Sequence, residues 1–202
     1  MGRAAAALIA LICWTGIGLQ FWAGYSHSHD FIATLWGLAR FFTIIGNLAL
    51  AIVMSAIAFG RRPSPFVLAG VTLALLLIGI VYGILLAGLH HPVGIGLIAN
   101  YLLHDVSPVV TAAYWLLLVP RRRLPWSAPW RWVLFPLAYF IYAVVRGGLD
   151  HRYPYPFIDV AKLGWVQVSL NAAGIALAFI LGGFALVWLD TWRPLGPSGG
   201  RR

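Results

Sequence analysis

The sequence predicts an all-α, polytopic membrane protein that forms a single bundle of six transmembrane helices. Hydrophobic residues make up 61% of the 202 residues and charged residues only 9%, whereas a soluble domain carries roughly 25% charged residues. The apolar residues form continuous stretches of about 20 residues, the length that a helix needs to cross a bilayer. Strands of a membrane barrel would instead alternate apolar and polar residues over about ten positions.

Six apolar stretches follow one another along the chain and define one domain, 1–202. The first begins after Arg3, and we interpret it as a retained span because no small-residue cleavage site follows it. The fourth ends at Pro120 and a run of three arginines, and the fifth is short and contains Pro136. The predicted spans are 4–24, 38–59, 65–87, 98–119, 131–148 and 164–188.

The 14 basic residues sit in short clusters between the apolar stretches. Such clusters indicate topology signals and lipid-headgroup contacts rather than nucleic-acid binding. Six spans place both termini on one side, and most of the basic residues fall on that side. They are Arg3, Arg61, Arg62, Arg121, Arg122, Arg123, Arg131, Arg193, Arg201 and Arg202, against Arg40, Arg146, Arg152 and Lys162 on the other side. The positive-inside rule therefore predicts that both termini are cytoplasmic.

Polar side chains within the predicted spans lie mainly at one depth, in the outer half of the membrane. Thr43 lies about five residues into the second span, roughly 8 Å deep, and His104 lies roughly 9 Å deep in the fourth. Asn100 shares a helix face with His104 and can orient the imidazole. Arg146 and Asn171 lie near the outer ends of the last two spans. Polar groups at such depth cost free energy and are usually retained for function or internal pairing.

Each of these residues also has a structural interpretation. A threonine in a membrane helix commonly bonds to its own i−4 carbonyl, and Arg146 can be an interfacial anchor. Two histidine pairs in outer loops lack the acidic or thiol companions that a metal site needs. They are His27 with His29, and His90 with His91. Neither a metal nor another cofactor is therefore expected.

Several short motifs between Leu38 and Asn171 occur in a specific order. They are Arg40-Phe41-Phe42-Thr43, then Asn100-x-x-x-His104-x-x-x-Pro108, then Tyr139, then Tyr155-Pro156-Phe157-Ile158-Asp159. In these motifs the chain resembles the androgen-induced-gene/FAR-17a-like family of integral membrane proteins, whose bacterial members are often labelled Pr6Pr.

The resemblance implies a six-helix intramembrane hydrolase that cleaves lipid esters such as fatty-acid esters of hydroxy fatty acids. Carried over to this sequence, Thr43 would be the nucleophile and His104 the general base. A related acyltransferase branch uses a cysteine nucleophile, but the single cysteine here, Cys13, lies in the first span. The expected partners are membrane lipids and a lipid-ester substrate, and the expected location is a bacterial plasma membrane.

The sequence leaves the oxyanion donor and two other functions open. The candidates for substrate binding or oxyanion stabilisation are Asn47, Asn100, Arg146, Asn171 and Tyr155. A non-catalytic lipid-binding protein would use the same polar pocket without cleaving lipid. A small-solute transporter would use it as a vestibule, although the cytoplasmic halves of the spans offer no polar track.

Overall fold

Seven helices account for most of residues 2–89, 91–119 and 124–192, which are the residues that the computed structural model describes. They are α1 (Gly2–Ser28), α2 (Phe31–Leu38), α3 (Phe42–Ala58), α4 (Pro65–Leu86), α5 (Gly94–Leu118), α6 (Ala128–Asp150) and α7 (Val160–Trp192). A short 3₁₀ turn, Pro156–Ile158, lies between α6 and α7. The predicted all-α bundle is confirmed.

Five of the helices are each long and apolar enough to cross a membrane. The pair α2 and α3 meets the same criterion together but is bent by 93°, so the described residues hold up to six spans. The chain is therefore a multi-pass membrane protein. Among the predicted boundaries, 65–87 lies within one residue of α4, and Gly164 (φ 74°) marks a kink inside α7 where the sixth span was predicted to begin.

The second predicted span is wrong in one respect, because the helix is not continuous from residue 38. The chain leaves the helical path after α2, and Phe41 is extended (φ −93°, ψ 130°) before α3 begins at Phe42. Thr43 consequently lies in the first turn of α3 rather than five residues into a span. The residues around the break are apolar apart from Arg40, so hydropathy carries no signal of a bend.

Side chains of α6 stabilise the bend between α2 and α3. Three of them donate hydrogen bonds to carbonyls at the bend: Tyr139 to Arg40 (2.8 Å), Tyr142 to Ala39 (3.1 Å) and Arg146 to Trp36. Their spacing of three and four residues places them on one face of α6. A carbonyl left without a donor inside a membrane costs several kcal/mol. The donors on α6 therefore lower the free-energy cost of interrupting the helix. We call this set of contacts the α6 clamp.

The beginning of α1 and the end of α7 lie at one end of the bundle, which we call the terminal end. Arg3 packs so closely against Gly60 that a Cβ there would lie 2.5 Å from its guanidinium. Near the other terminus, the side chain of Asp190 accepts a hydrogen bond from the backbone N–H of Leu124 (3.1 Å). The predicted basic residues Arg121–Arg123, Arg193, Arg201 and Arg202 lie outside the described residues.

Candidate active site

Thr43 and His104 are in direct contact. The Thr43 Oγ1 lies 3.1 Å from the His104 Nε2, and this contact joins the first turn of α3 to the middle of α5. The other ring nitrogen, Nδ1, lies 3.2 Å from the backbone carbonyl of Asn100. A carbonyl can only accept, so Nδ1 carries the proton and Nε2 is left to accept from the Thr43 hydroxyl. This is the tautomer that a general base requires.

The pair lies at one depth in the bundle. Thr43 precedes the terminal end of α3 at Ala58 by roughly 22 Å, and His104 precedes that of α5 at Leu118 by roughly 21 Å, at 1.5 Å per residue. Both distances exceed half the thickness of a hydrocarbon core, which is about 30 Å.

His104 belongs to a π-helical turn, Leu102–Val106, inside α5. Such turns disturb the regular backbone pattern of a helix and often occur at functional sites. Here the Leu103 carbonyl accepts side-chain hydrogen bonds from Asn47 (3.1 Å) and Ser107 (3.2 Å). The π turn therefore lets α3 bond to α5 next to the imidazole.

Tyr82 packs against the face of the imidazole, and it was not among the predicted site residues. Its ring stacks on that of His104 at a centroid distance of 4.1 Å. Its hydroxyl accepts a hydrogen bond from the Asn100 side chain (2.6 Å). Asn100 therefore orients the imidazole through its backbone carbonyl, while its amide secures Tyr82. The sequence offered one signal, because Tyr82 is the only hydroxyl-bearing residue in the outer half of the third predicted span.

Asn47 is a fully buried connector between α3 and α5. Its Nδ2 donates to the carbonyls of Thr43 (2.9 Å) and Leu103 (3.1 Å), and its Oδ1 accepts from the Ser107 hydroxyl (2.6 Å). Both N–H bonds of the amide are used in this way. Asn47 therefore positions Thr43 and has no hydrogen left to offer a substrate.

Arg146 and Asn171 lie away from the contact between Thr43 and His104. Arg146 belongs to the α6 clamp, with its guanidinium 3.9 Å from the centre of the Trp36 ring and its Nε 3.6 Å from Asp150 Oδ2. The Asn171 amide donates to the backbone carbonyl of Phe157 (2.8 Å). These two candidates support the bend and the linker between α6 and α7, respectively.

Tyr155 reaches the pair from that linker. Its ring stacks on Phe157 (5.2 Å, 4° between planes) and meets the edge of Phe41. Its hydroxyl lies near the Thr43 side chain, near the backbone N–H groups of Phe42 and Thr43, and near the Tyr139 side chain. Burial raises the pKa of Tyr155 above its ordinary value, so the phenol keeps its proton and can donate it in a hydrogen bond.

Thr43, His104 and Tyr155 line one pocket with a cavity volume of about 80 Å³. The rest of its wall is mainly aliphatic and aromatic, with contributions from α4, α6 and α7 such as Leu77 and Phe140. The helices α4 and α7 approach closely nearer the terminal end, where a Cβ on Gly182 would lie 3.2 Å from Leu73. The pocket is therefore a hydrophobic chamber with a small polar centre.

No group of three His, Cys, Asp or Glu side chains converges within the part of the chain that the structure describes. Of the four loop histidines, His90 lies outside that part.

The fold and the site define a class: a multi-pass helical membrane protein with a threonine–histidine pair in an apolar pocket. No protein-family model matches the chain, and neither a curated protein nor a solved structure does. The function is therefore inferred from the chemistry of the site.

Proposed function

We propose that the protein is an intramembrane hydrolase of lipid esters, with Thr43 as the nucleophile and His104 as the general base. The observation that carries this proposal is the 3.1 Å contact between Thr43 Oγ1 and His104 Nε2. A hydroxyl is a weak nucleophile unless an adjacent base takes its proton. The contact has the heavy-atom distance that such a proton transfer needs.

The reaction would proceed in two halves. His104 Nε2 takes the Thr43 proton while Oγ1 bonds to the ester carbonyl carbon, and the carbonyl π electrons move to its oxygen. When the carbonyl re-forms, the bond to the alcohol oxygen breaks, and that oxygen takes the proton from Nε2. Water then attacks the acyl-threonine with the same base assistance. The fatty acid leaves, and the proton returns to Thr43.

The backbone carbonyl of Asn100 replaces the acid of a conventional triad. It accepts from His104 Nδ1–H at 3.2 Å and so maintains the reactive tautomer. A carbonyl stabilises an imidazolium less than a carboxylate does, because it carries only a partial negative charge.

The pocket favours a substrate with an acyl chain. Its wall is mainly apolar. A hydroxyl roughly 22 Å from the terminal end of α3 suits the upper acyl region of one leaflet in a hydrocarbon core about 30 Å thick. The resemblance to the androgen-induced-gene/FAR-17a-like family points to esters of hydroxy fatty acids within this class.

The packing supports a hydrolase over a small-solute transporter. Between the pocket and the terminal end, the described core consists mainly of apolar side chains such as Leu50 and Met54. The buried hydroxyls of Thr72 and Thr111 donate to carbonyls of their own helices, at 2.9 and 2.6 Å. They therefore provide no continuous polar path towards the terminal end.

A fluorophosphonate probe tests the nucleophile. We expect the probe to label the wild-type protein covalently and to leave Thr43→Ala unlabelled, because the activated hydroxyl is then absent. The measurement is in-gel fluorescence of the purified protein in lipid nanodiscs.

Thr72→Ala is the matched control, since Thr72 is also a buried helical threonine but bonds to the Leu68 carbonyl. It should label like the wild type. Equal labelling of Thr43→Ala and wild type would remove Thr43 as the nucleophile. Intact copurified lipid, with no labelling and no ester turnover, would instead favour the non-catalytic lipid-binding protein.

We also propose that both termini face the cytoplasm and that the protein resides in a bacterial plasma membrane. Support comes from the distribution of basic residues along the sequence, which puts ten of them on the predicted side of the termini and four on the other. In spheroplasts, an impermeant maleimide should label Gly88→Cys, placed in the loop between α4 and α5. It should reach Ser127→Cys only after lysis, with both variants made in a Cys13→Ala background. The opposite labelling pattern would invert the orientation.

A further inference from the structure

We propose that the Tyr155 hydroxyl is a catalytic hydrogen-bond donor that stabilises the oxyanion formed when Thr43 attacks an ester. This inference rests on the proposed hydrolase function and assigns its missing oxyanion donor.

The first argument is placement. Tyr155 lines the same pocket as Thr43 and His104 although it comes from the linker between α6 and α7. Its ring is fixed by the stacked Phe157, and the carbonyl of Phe157 is held in turn by Asn171 at 2.8 Å. The linker therefore presents the hydroxyl with little freedom, as preorganised electrostatic stabilisation requires.

The second argument concerns the surroundings of the Tyr155 hydroxyl. It lies near the Thr43 side chain and near the backbone N–H groups of Phe42 and Thr43, and Phe41 offers these groups no side-chain cap. The Tyr139 hydroxyl is also near, but it donates to the Arg40 carbonyl. The Tyr155 O–H therefore lies beside the side chain that attacks the ester.

The third argument concerns where the negative charge develops. In the resting site, the Thr43 hydroxyl donates a hydrogen bond to His104 Nε2, and its oxygen can accept one from Tyr155. When Oγ1 bonds to the ester carbon and its proton passes to Nε2, the negative charge appears on the former carbonyl oxygen, which becomes the stronger acceptor. This oxygen is bonded to the same carbon as Oγ1, so the hydrogen bond from Tyr155 can shift to it. The proton stays on Tyr155 throughout.

The fourth argument is that the other candidates are committed elsewhere. Both N–H bonds of Asn47 reach backbone carbonyls, and Asn100 donates to Tyr82 and does not line the pocket. Tyr139 lines the pocket, but its hydroxyl donates to the Arg40 carbonyl at 2.8 Å. Of the side chains considered, Tyr155 is the one whose hydroxyl lines the pocket beside Thr43 without donating to a backbone carbonyl among the described hydrogen bonds.

Tyr155→Phe tests the proposal because it removes the hydroxyl and keeps the stacked ring. With p-nitrophenyl decanoate and protein in nanodiscs, we expect kcat to fall by roughly 10²–10³, the usual effect of losing one oxyanion donor. KM should change little, because the lost bond forms only in the transition state. Tyr153→Phe is the matched control, since Tyr153 lies in the same linker and packs against Gly147 rather than the pocket; its kcat should stay at the wild-type level.

The outcomes separate the inference from the function on which it rests. If Tyr155→Phe keeps wild-type kcat while Thr43→Ala is inactive, Tyr155 only caps α3, and the inference fails while the hydrolase stands. If wild type shows no turnover above Thr43→Ala, both fail.

Should Tyr155→Phe not fold, 3-fluorotyrosine at position 155 keeps the hydroxyl and makes it more acidic. A catalytic donor then shifts the alkaline limb of kcat to lower pH, and an unchanged limb overturns the proposal.

Discussion

His104→Phe should lower ester turnover by roughly 10²–10⁴-fold, the contribution of a positioned general base. Phenylalanine keeps the ring that stacks on Tyr82 at 4.1 Å but has no nitrogen to take the Thr43 proton. Fluorophosphonate labelling of Thr43 should fall with turnover, because both depend on the activated hydroxyl. The measurement is kcat with an acyl ester, alongside the labelling rate, in the same nanodiscs.

The fold should survive this substitution. The change removes the hydrogen bonds to Thr43 and to the Asn100 carbonyl, each worth about 1 kcal/mol, and retains the ring packing. Tyr82→Phe serves as the control, because it keeps the stacked ring and removes only the acceptor for the Asn100 amide; we expect less than about a tenfold loss. A His104→Phe protein that turns over ester at the rate of Tyr82→Phe would exclude His104 as the base.

Arg146→Leu should destabilise the folded protein by about 2–4 kcal/mol, because it removes a buried cation from the α6 clamp. Arg146 is only 4% exposed, and several interactions are lost together. They are the hydrogen bonds to the Trp36 carbonyl and to the Tyr142 hydroxyl, the contact with the Trp36 ring and the ion pair with Asp150. Asp150 keeps its shorter contact with Arg40 (2.7 Å), which limits the cost. The free energy of unfolding can be measured by titrating SDS into mild detergent.

Lys162→Leu is the control for Arg146→Leu. Lys162 pairs with Asp159 at 3.5 Å, but its side chain is 81% exposed, and exposed pairs contribute little. We expect its free energy of unfolding to match wild type within about 0.5 kcal/mol. If Arg146→Leu were equally silent, the α6 clamp would not be what holds α2 and α3 at their angle.

The transmembrane spans were largely predictable because hydrocarbon imposes a simple rule on sequence. A helix that crosses it must be apolar for about 20 residues, and this requirement is visible without any partner. The prediction for α4 accordingly lies close to its observed bounds. The side of the membrane on which the termini lie stays a prediction, since it depends on the arginine distribution and not on the fold.

The break before Thr43 was not predictable from the local sequence. Residues 36–41 are apolar except for Arg40, and a straight helix would satisfy the same hydropathy. The donors that make the bend possible are Tyr139, Tyr142 and Arg146, about a hundred residues further along the chain. Only the packing of α6 against the bend brings them to the carbonyls.

The candidate site was also predictable only in part. Thr43 and His104 stood out in the sequence because polar residues are costly inside a membrane, and the structure brings the two side chains into contact. The contacts that orient these two side chains were not predictable from the sequence. A backbone carbonyl orients the imidazole, and Tyr82 is held by an amide on another helix.

The sequence by itself thus determined the all-α membrane class, the approximate spans and which polar residues to examine, because transfer into hydrocarbon is a property of each segment alone. The tertiary structure decided the bend that places Thr43 at a helix start, the contact between Thr43 and His104, and the approach of Tyr155 to this pair. Each of these brings together residues far apart in sequence, and such contacts form only when the helices pack.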